Sequence, residues 1–462
     1  MSGLLTSLQG VSSALNAFSQ ALGADQANVS NASTPGYAAV RAVISPVGFV
    51  GGGSGADSVV LKSTGSAQAD AIVQAASSQA SYSQTQAQQL SSVNQQFDIT
   101  GSTGILAAFQ SFSTAFANLA VTPDDSSAQQ AALSAAGSVA AAFNSVAQSL
   151  GSQSQSLQDA AQSTVRQINN LAGQIAQYNV QVRGQTTLNP GTDASQREAL
   201  TQLSSLVGIT VTQNADGTVN VLAGGSVPLV LGDQAYTLTA NLSAAPGSQI
   251  TSSGGGSAPP SFSGTLGGLV DTLNNTITPI IGGNGQAGSL NTLAQGFATV
   301  VNNLLTSGVT SAGVAGVPLF TYNAASAAGS LAVDPSVTTD QLAVATTGAA
   351  ASSNGVANQL AALTNSASPA DQIAGVSQQD YYSSIAQSVG QQLSDATSQS
   401  TSDQTSLTSA QANQTSVEGV SLDQEAINIT ADQRSWEAAA KLVTVLDTLT
   451  LDSVNLVGEQ DS

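Results

Sequence analysis

The 462-residue chain has no cysteine and no histidine, and only seven of its residues are basic. Without Cys there is neither a disulfide framework nor thiol chemistry, and a chain crossing a secretion channel unfolded has no thiols to cross-link. Without His there is no Ser-His-Asp triad, no zincin motif and no imidazole ligand for a metal. Two Lys and five Arg, widely scattered, cannot track a phosphate backbone, so a nucleic-acid partner is excluded. No run approaches 18 consecutive apolar residues, so no membrane insertion is expected. No basic stretch precedes an apolar core at the start, which argues against a cleaved Sec signal. Charge itself is scarce: 7% of residues are charged, against roughly 25% in ordinary soluble domains.

Ser, Gln, Asn and Thr take the place of charge on the surface. Such a surface tolerates close self-packing, because little ionic solvation is lost on contact. Hydrophobic residues reach 41%, much of it Ala, with 4% aromatics, which implies small side chains at closely approached helices. Gly (44) and Pro (12) are near their ordinary share, so the chain is no disordered Gly/Pro polymer. The length allows two or three domains with real cores. The formal charge is −20, yet the first 56 residues carry only Asp25 and Arg41, while many acids follow residue 394.

Both ends read as apolar helices. Leu4, Leu8, Val11, Leu15, Phe18 and Leu22 recur at spacings of four and three, the seam of a coiled coil. This helix, spanning 3–33, should stop before Thr34-Pro35-Gly36-Tyr37. Pro disfavours the α region for the residue before it, and Pro-Gly suits the centre of a type II turn. Asn28 and Asn31, one turn apart, are placed to hydrogen-bond a neighbouring helix or its turn. A last helix over 420–457 carries Leu422, Ile429, Trp436 and Val443 seven apart on one face. Two seams without a partner in the body predict termini that stay mobile until assembly supplies one.

Between the ends, 64–205 reads as helical. One stripe is Ala69, Ile72, Ala76, Ala80, Ala87, Leu90 and Phe97, and a second is Phe109, Phe112, Phe116 and Leu119, ending before Pro123. Ser126 to Gln129 suggests a capping box opening a third helix, with Leu133 and Phe143 inward. Val165, Ile168, Ala172, Ile175 and Val182 mark a fourth. Over 206–262 the period becomes two: Val207, Ile209 and Val211, a turn at Asp216-Gly217, then Val219 and Val221. Short strands follow at Val227 to Leu231 and Tyr236 to Leu238. Gly-rich loops are expected at 51–55 and 253–260. Helices resume from 264 to about 410, with Phe297, Val300, Val301, Leu304 and Leu305 as a buried stripe.

The fold class expected is therefore mainly α with a small β insert. Terminal coiled-coil helices pair in an assembly domain, beside an elongated helical-bundle body with a β-meander. The corresponding domains are 1–60 with 411–462, 61–205 with 264–410, and the insert at 206–263.

Sites for chemistry are few. No Gly-x-Ser-x-Gly occurs, and neither Lys62 nor Lys441 follows a glycine as a P-loop lysine must. Gly283-Asn284-Gly285-Gln286-Ala287-Gly288 matches a dinucleotide fingerprint. The ribose-binding acid that such a site needs about 20 residues later is missing, since none lies between Asp271 and Asp334, so a plain Gly-rich loop is favoured. Asp124-Asp125 opens a helix after Pro123, where the macrodipole favours acids without any catalytic role. Trp436, the sole Trp, is read as a packing residue because it shares a heptad face with Ile429 and Val443. No catalytic residue, cofactor or metal is predicted.

The string N-x-x-N-x-x-T-P-G-Y at 28–37, following an apolar helix, resembles the signature of bacterial flagellar axial proteins, shared by rod, hook and hook-associated proteins. Gly419 to Ala426 and Asp432 to Lys441 are similar to their closing helix. The middle is similar to the hook-associated family of the hook–filament junction, through Ile168-Asn169, Tyr178-Asn179, Ser195 to Leu200 and the Asp216-Gly217 hairpin. Gly264 to Leu273, Phe297 to Asn302 and Leu319-Phe320-Thr321 follow in the same order. An outer domain often inserted after that last segment has no counterpart, because Leu331 to Pro335 follow almost at once. The acidic helix start usual in the family is reduced to Asp193, and its common arginines are largely Gln and Ala.

The resemblance implies a structural, non-enzymatic subunit of the extracellular flagellum, exported unfolded by the type III apparatus. It implies a ring homo-oligomer at the distal end of the hook, partnered by hook protein, second junction protein and filament, with an export chaperone on the C-terminal helix. The assembly interface would comprise Leu4, Leu8, Val11, Leu15, Phe18, Leu22, Asn28, Asn31, Thr34, Pro35, Gly36, Tyr37, Leu422, Ile429, Trp436 and Val443. The alternatives are another axial subunit (second junction protein, hook protein or flagellin) or a secreted helical adhesin or effector.

Overall fold

A computed structural model describes residues 2–45, 58–183, 189–243, 249–255, 262–283, 287–348 and 353–458, and the chain is 68% helical. From the N-terminus come α1 (Ser2–Asn31), β1 (Val40–Ser45), β2 (Ser58–Ser63), α2 (Ala67–Asn94), α3 (Gly104–Val121), α4 (Ser126–Arg183) and α5 (Pro190–Leu206). Six short strands follow: β3 (Ile209–Gln213), β4 (Val219–Ala223), β5 (Val227–Leu231), β6 (Gln234–Ala235), β7 (Leu238–Ala240) and β8 (Ile250–Ser252). The helices then resume with α6 (Gly264–Thr272), α7 (Thr278–Ile281), α8 (Ser289–Ser307), α9 (Ala327–Ser330), α10 (Gly355–Ala362), α11 (Gln378–Glu418) and α12 (Leu422–Gly458). The expected loops at 51–55, most of 253–260 and 284–286 lie outside the described residues.

The chain divides into two compact units. The first comprises 1–78, 168–237 and 404–462, and the second 79–167 and 238–403.

In the first unit α1 packs along α12, and β1 and β2 form an antiparallel pair. Strands β3-β4-β5-β6 make an antiparallel meander, and the Asp216-Gly217 turn sets its first hairpin, with Gly217 at φ +82°. Asn179 of α4 fastens this sheet. Fully buried, it donates to Val219 O (2.7 Å) and to Gly232 O, while accepting from Val219 N and from Gln196 Nε2, both at 2.9 Å. That satisfies its amide with backbone groups that would otherwise be orphaned.

The second unit is built on phenylalanine. Phe297 of α8 lies 5.2 Å from both Phe109 and Phe112 of α3 and 5.5 Å from Phe320, and Phe109 meets Phe143 at 5.9 Å. By length and composition α3 could cross a membrane, but Ile105, Leu106, Phe109, Phe112, Phe116 and Leu119 are buried in this core. Asn302 closes the Leu319-Phe320-Thr321 segment by accepting from Leu319 N and Phe320 N and donating to Phe320 O, all at 2.8 Å. Phe320–Thr321 then pairs antiparallel with Ala332–Val333.

Several local expectations differ from the structure. The third and fourth helices are one 58-residue helix, α4. Its seam, Ala132, Ala136, Val139, Phe143, Val146, Leu150, Leu157, Ala161, Val165, Ile168, Ala172 and Ile175, runs unbroken past Gly151. An interior Gly costs about 1 kcal/mol relative to Ala, which that packing outweighs. Its cap is the Asp125 side chain, which accepts from Ser127 N at 2.8 Å, while Gln129 turns back to Pro123 O. Ile72 is exposed and its neighbour Val73 is buried in its stead. Val207 caps α5, and Tyr236 falls in the break between β6 and β7. Residues 308–348 are mostly turns and two-residue strands.

Candidate assembly interface

The termini find each other inside one chain, which corrects the expectation that both seams lack a partner in the body. The register differs too. The most buried line on α1 is Ala17, Ala21, Ala24 and Asn28, while Leu8, Val11, Leu15, Phe18 and Leu22 are half-buried on its flank. The side chain of Leu4 lies outside the described residues. Small residues let two backbones approach, and the bulky seam is displaced to the edge of the contact. On α12, Glu425 is buried, and Ile429, Asp432, Ala439, Val443 and Leu446 are half-buried. Leu422 and Trp436 are exposed, as are Ile427, Leu442, Val445, Leu449 and Leu451. Leu422, Ile429, Trp436 and Val443 thus share a heptad spacing without sharing burial.

The N-x-x-N-x-x-T-P-G-Y string becomes a clamp. Asn28, 1% exposed, donates to Val40 O (2.8 Å) and to Glu425 Oε2 (3.2 Å). Its Oδ1 accepts from Val40 N (2.8 Å) and from the Tyr37 hydroxyl (2.9 Å). One side chain thus joins α1, the start of β1, the turn and α12. Asn31 holds the helix end, donating to Ala27 O at 2.9 Å and accepting from Thr34 Oγ1 at 3.2 Å. Thr34, Pro35, Gly36 and Tyr37 form the turn, with Tyr37 N donating to Thr34 O at 3.2 Å and Gly36 at φ +73°. A Cβ on Gly36 would stand 2.4 Å from Ala194 O of α5, so the position also requires the absence of a side chain. Burial, followed by the charge of Glu425, pushes the Tyr37 hydroxyl above its ordinary pKa.

The residues that fasten this clamp from behind carry no signature in the sequence. Arg197 of α5, 9% exposed, ion-pairs with Asp70 of α2 (2.7 Å) and with Glu418 at the end of α11 (2.5 Å). Glu418 also accepts from Ser66 N (2.7 Å), while its carbonyl accepts from Ala39 N (2.9 Å). Gln414 adds a bond to Asp70 at 2.6 Å. Burial opposes the Arg197 charge, but Asp70 and Glu418 outweigh it and raise the pKa. The Ser195 to Leu200 segment was visible, but its partners, 127 and 221 positions away, were not.

Asp25, Glu425 and Asp432 were also missed as a group. They line a cavity of about 450 Å³ with Ala21, Arg41 and Asn428. Burial first, then Glu425 and Asp432, push Asp25 up to about 7, and burial raises Asp432. The signal available was an acid, Asp25, on the buried Ala21–Ala24–Asn28 face. Among the described residues no group of three or more acids, His or Cys is arranged to hold a metal ion. Geometrically, the site joins helices and presents an apolar outer face.

The profile described as "Flagellar hook-associated protein FlgK helical domain" matches residues 90–320, half of the chain. Flagellar hook-associated protein 1 of Bacillus subtilis (strain 168) is 26% identical over 511 residues, covering 99% of both chains. Its counterpart in Salmonella typhimurium is 26% identical over 249 residues, covering 52% of this chain and 45% of that protein. The solved structure of the flagellar hook junction protein FlgK from Burkholderia pseudomallei matches 55% of this chain and 47% of its own, with 29% identity and a TM-score of 0.48.

Proposed function

This chain belongs to the FlgK family of flagellar hook-associated proteins, and we propose that it self-assembles at the distal end of the hook to join hook to filament. It is an extracellular component of the bacterial flagellum and takes part in motility as a building block. Its role is structural and non-enzymatic, in keeping with its relatives. The observation that carries the reading is the Asn28 clamp, through which the family's turn string fastens the first helix to the last.

In this reading 1–60 and 411–462 form the assembly domain. The paired helices α1 and α12 line an inner tube, and the remaining residues lie outside it. Ring copies meet through the outer edge of the α1 seam and the exposed α12 face, including Leu422 and Trp436. The same bare face serves an export chaperone before assembly, and hook protein below and second junction protein above complete the stack. Burying that face would supply roughly 25 cal/mol per Å² of apolar surface removed from water. Deleting the gene should leave cells with hooks but without attached filaments in electron micrographs. Normal filaments on the deletion strain would refute the junction role.

A further inference from the structure

The acid cluster between the terminal helices is unlike the other polar contacts of the first unit. Asp25 of α1 is 8% exposed, and among the described residues its Oδ2 has no hydrogen-bond partner. It shares the lining of one cavity with Glu425 and Asp432 of α12, so the three carboxyls are gathered in the same enclosed space. Two ionised carboxylates only accept, so a bond between them requires a proton on one of the pair. Arg41 of β1 is the cation lining the cavity, and Lys62 of β2 stands opposite it on the strand pair. Both are exposed, and among the described residues no salt bridge to the three acids forms. Glu425 Oε2 already accepts from Asn28.

We propose that a proton shared by Asp25 with Glu425 and Asp432 locks α1 to α12, so that the terminal pair tightens in mildly acidic solution and loosens in mildly alkaline solution. This adds a control to the assembly element proposed above and rests on that reading for its consequence in the polymer. The pairing itself is a property of the single chain.

The sign follows from linkage. Asp25 binds its proton more tightly in the paired state, at about 7 against an ordinary 3.8. The paired state therefore holds more protons between those values, and its stability falls as pH rises across that window and levels off above it. Arg41 favours the ionised form, so removing it should move the window upward. Tyr37 titrates too high to contribute.

Trp436, four residues beyond Asp432 on α12, is the only tryptophan and so an intrinsic probe. The full-length monomer, its state checked by ultracentrifugation, is unfolded in urea at pH 5.5, 6.5, 7.5 and 8.5 while Trp436 emission is followed. Hydrogen exchange of peptides from α1 and α12 is measured at the same pH values, corrected for intrinsic rates. The pairing constant should drop at least about tenfold from pH 5.5 to 8.5. Asp25→Asn should hold its acid value throughout, and Arg41→Gln should shift the drop to higher pH. A flat wild-type profile, or a drop that persists in Asp25→Asn, overturns the proposal. Should Asp25→Asn fail to fold, Asp25→Ala must flatten the profile, since it also removes the titrating carboxyl, and a persisting slope there is equally fatal. A polymer that fails to form although the monomer titrates as described counts against the function reading and leaves this one standing.

Discussion

Asn28 Nδ2 donates to Glu425 Oε2 at 3.2 Å, so two residues 397 positions apart share one buried hydrogen bond. The same amide saturates both backbone groups of Val40. Truncation would therefore do more than remove one contact, because it would leave Val40 N, Val40 O and the Glu425 carboxylate to find new partners in a buried place. Leaving buried groups unsatisfied costs about 1–3 kcal/mol each, less whatever water recovers. Asn28→Ala should destabilise the terminal unit by about 2–4 kcal/mol, read as a lower urea midpoint of Trp436 fluorescence. An unchanged midpoint would mean that the clamp is decorative.

Arg197 presents the complementary case, a charge whose partners are charges. With side-chain exposure of 10%, and 19% and 4% for Asp70 and Glu418, the trio lies largely out of water. Removing the cation leaves two carboxylates facing each other, and breaking such a pair costs about 3–5 kcal/mol. Arg197→Met should approach that loss in thermal unfolding. Arg197→Met combined with Asp70→Leu and Glu418→Met should recover much of it, since an apolar replacement of the whole group avoids the stranded charges. If the triple variant is no better than the single one, electrostatics is not what holds these helices.

Phe297 tests the second unit. It touches Phe109, Phe112 and Phe320 and is fully buried, so Phe297→Ala removes a ring from the middle of an aromatic cluster. The expected loss is about 3–5 kcal/mol, with collapse of the near-ultraviolet circular dichroism and retention of most far-ultraviolet helix signal. Phe297→Leu should cost much less. Equal stability of Phe297→Ala and wild type would place the core elsewhere.

What could be read from residues alone was whatever is local. The α1 boundary, the Pro35-Gly36 turn and the Asp216-Gly217 hairpin each follow from φ preferences of one or two residues. The α3 stripe, Phe109 to Leu119, follows from periodicity. What escaped depends on partners far along the chain. Ala17, Ala21 and Ala24 form the true contact line of α1, because Ala is indistinguishable from filler until a neighbouring helix comes close. Leu15 and Phe18 drew attention by size and proved peripheral. Arg197, Asp70 and Glu418 are ordinary surface residue types whose burial only the fold creates. The two stripes around Phe143 and Val165 read as separate helices, whereas Val146, Leu150, Leu157 and Ala161 continue one buried seam between them.

The outer face of α12 separates folding from assembly. Leu442, Val445 and Leu449 are about half exposed, at 48%, 54% and 48%, and share one helical edge at spacings of three and four. Exposed side chains contribute little to the monomer, so changing all three to Gln should leave its urea midpoint nearly unchanged, within about 0.5 kcal/mol per site. In the proposed ring the same edge is covered, and three amides placed there would be desolvated without partners, at about 1–3 kcal/mol each per subunit interface. The variant should thus fold normally yet fail to restore swimming or filament attachment to a deletion strain, with wild-type protein restoring both. Wild-type swarm diameters from the triple variant would show that ring contacts avoid this edge, and would move the subunit interface to the α1 flank around Leu8, Leu15 and Phe18.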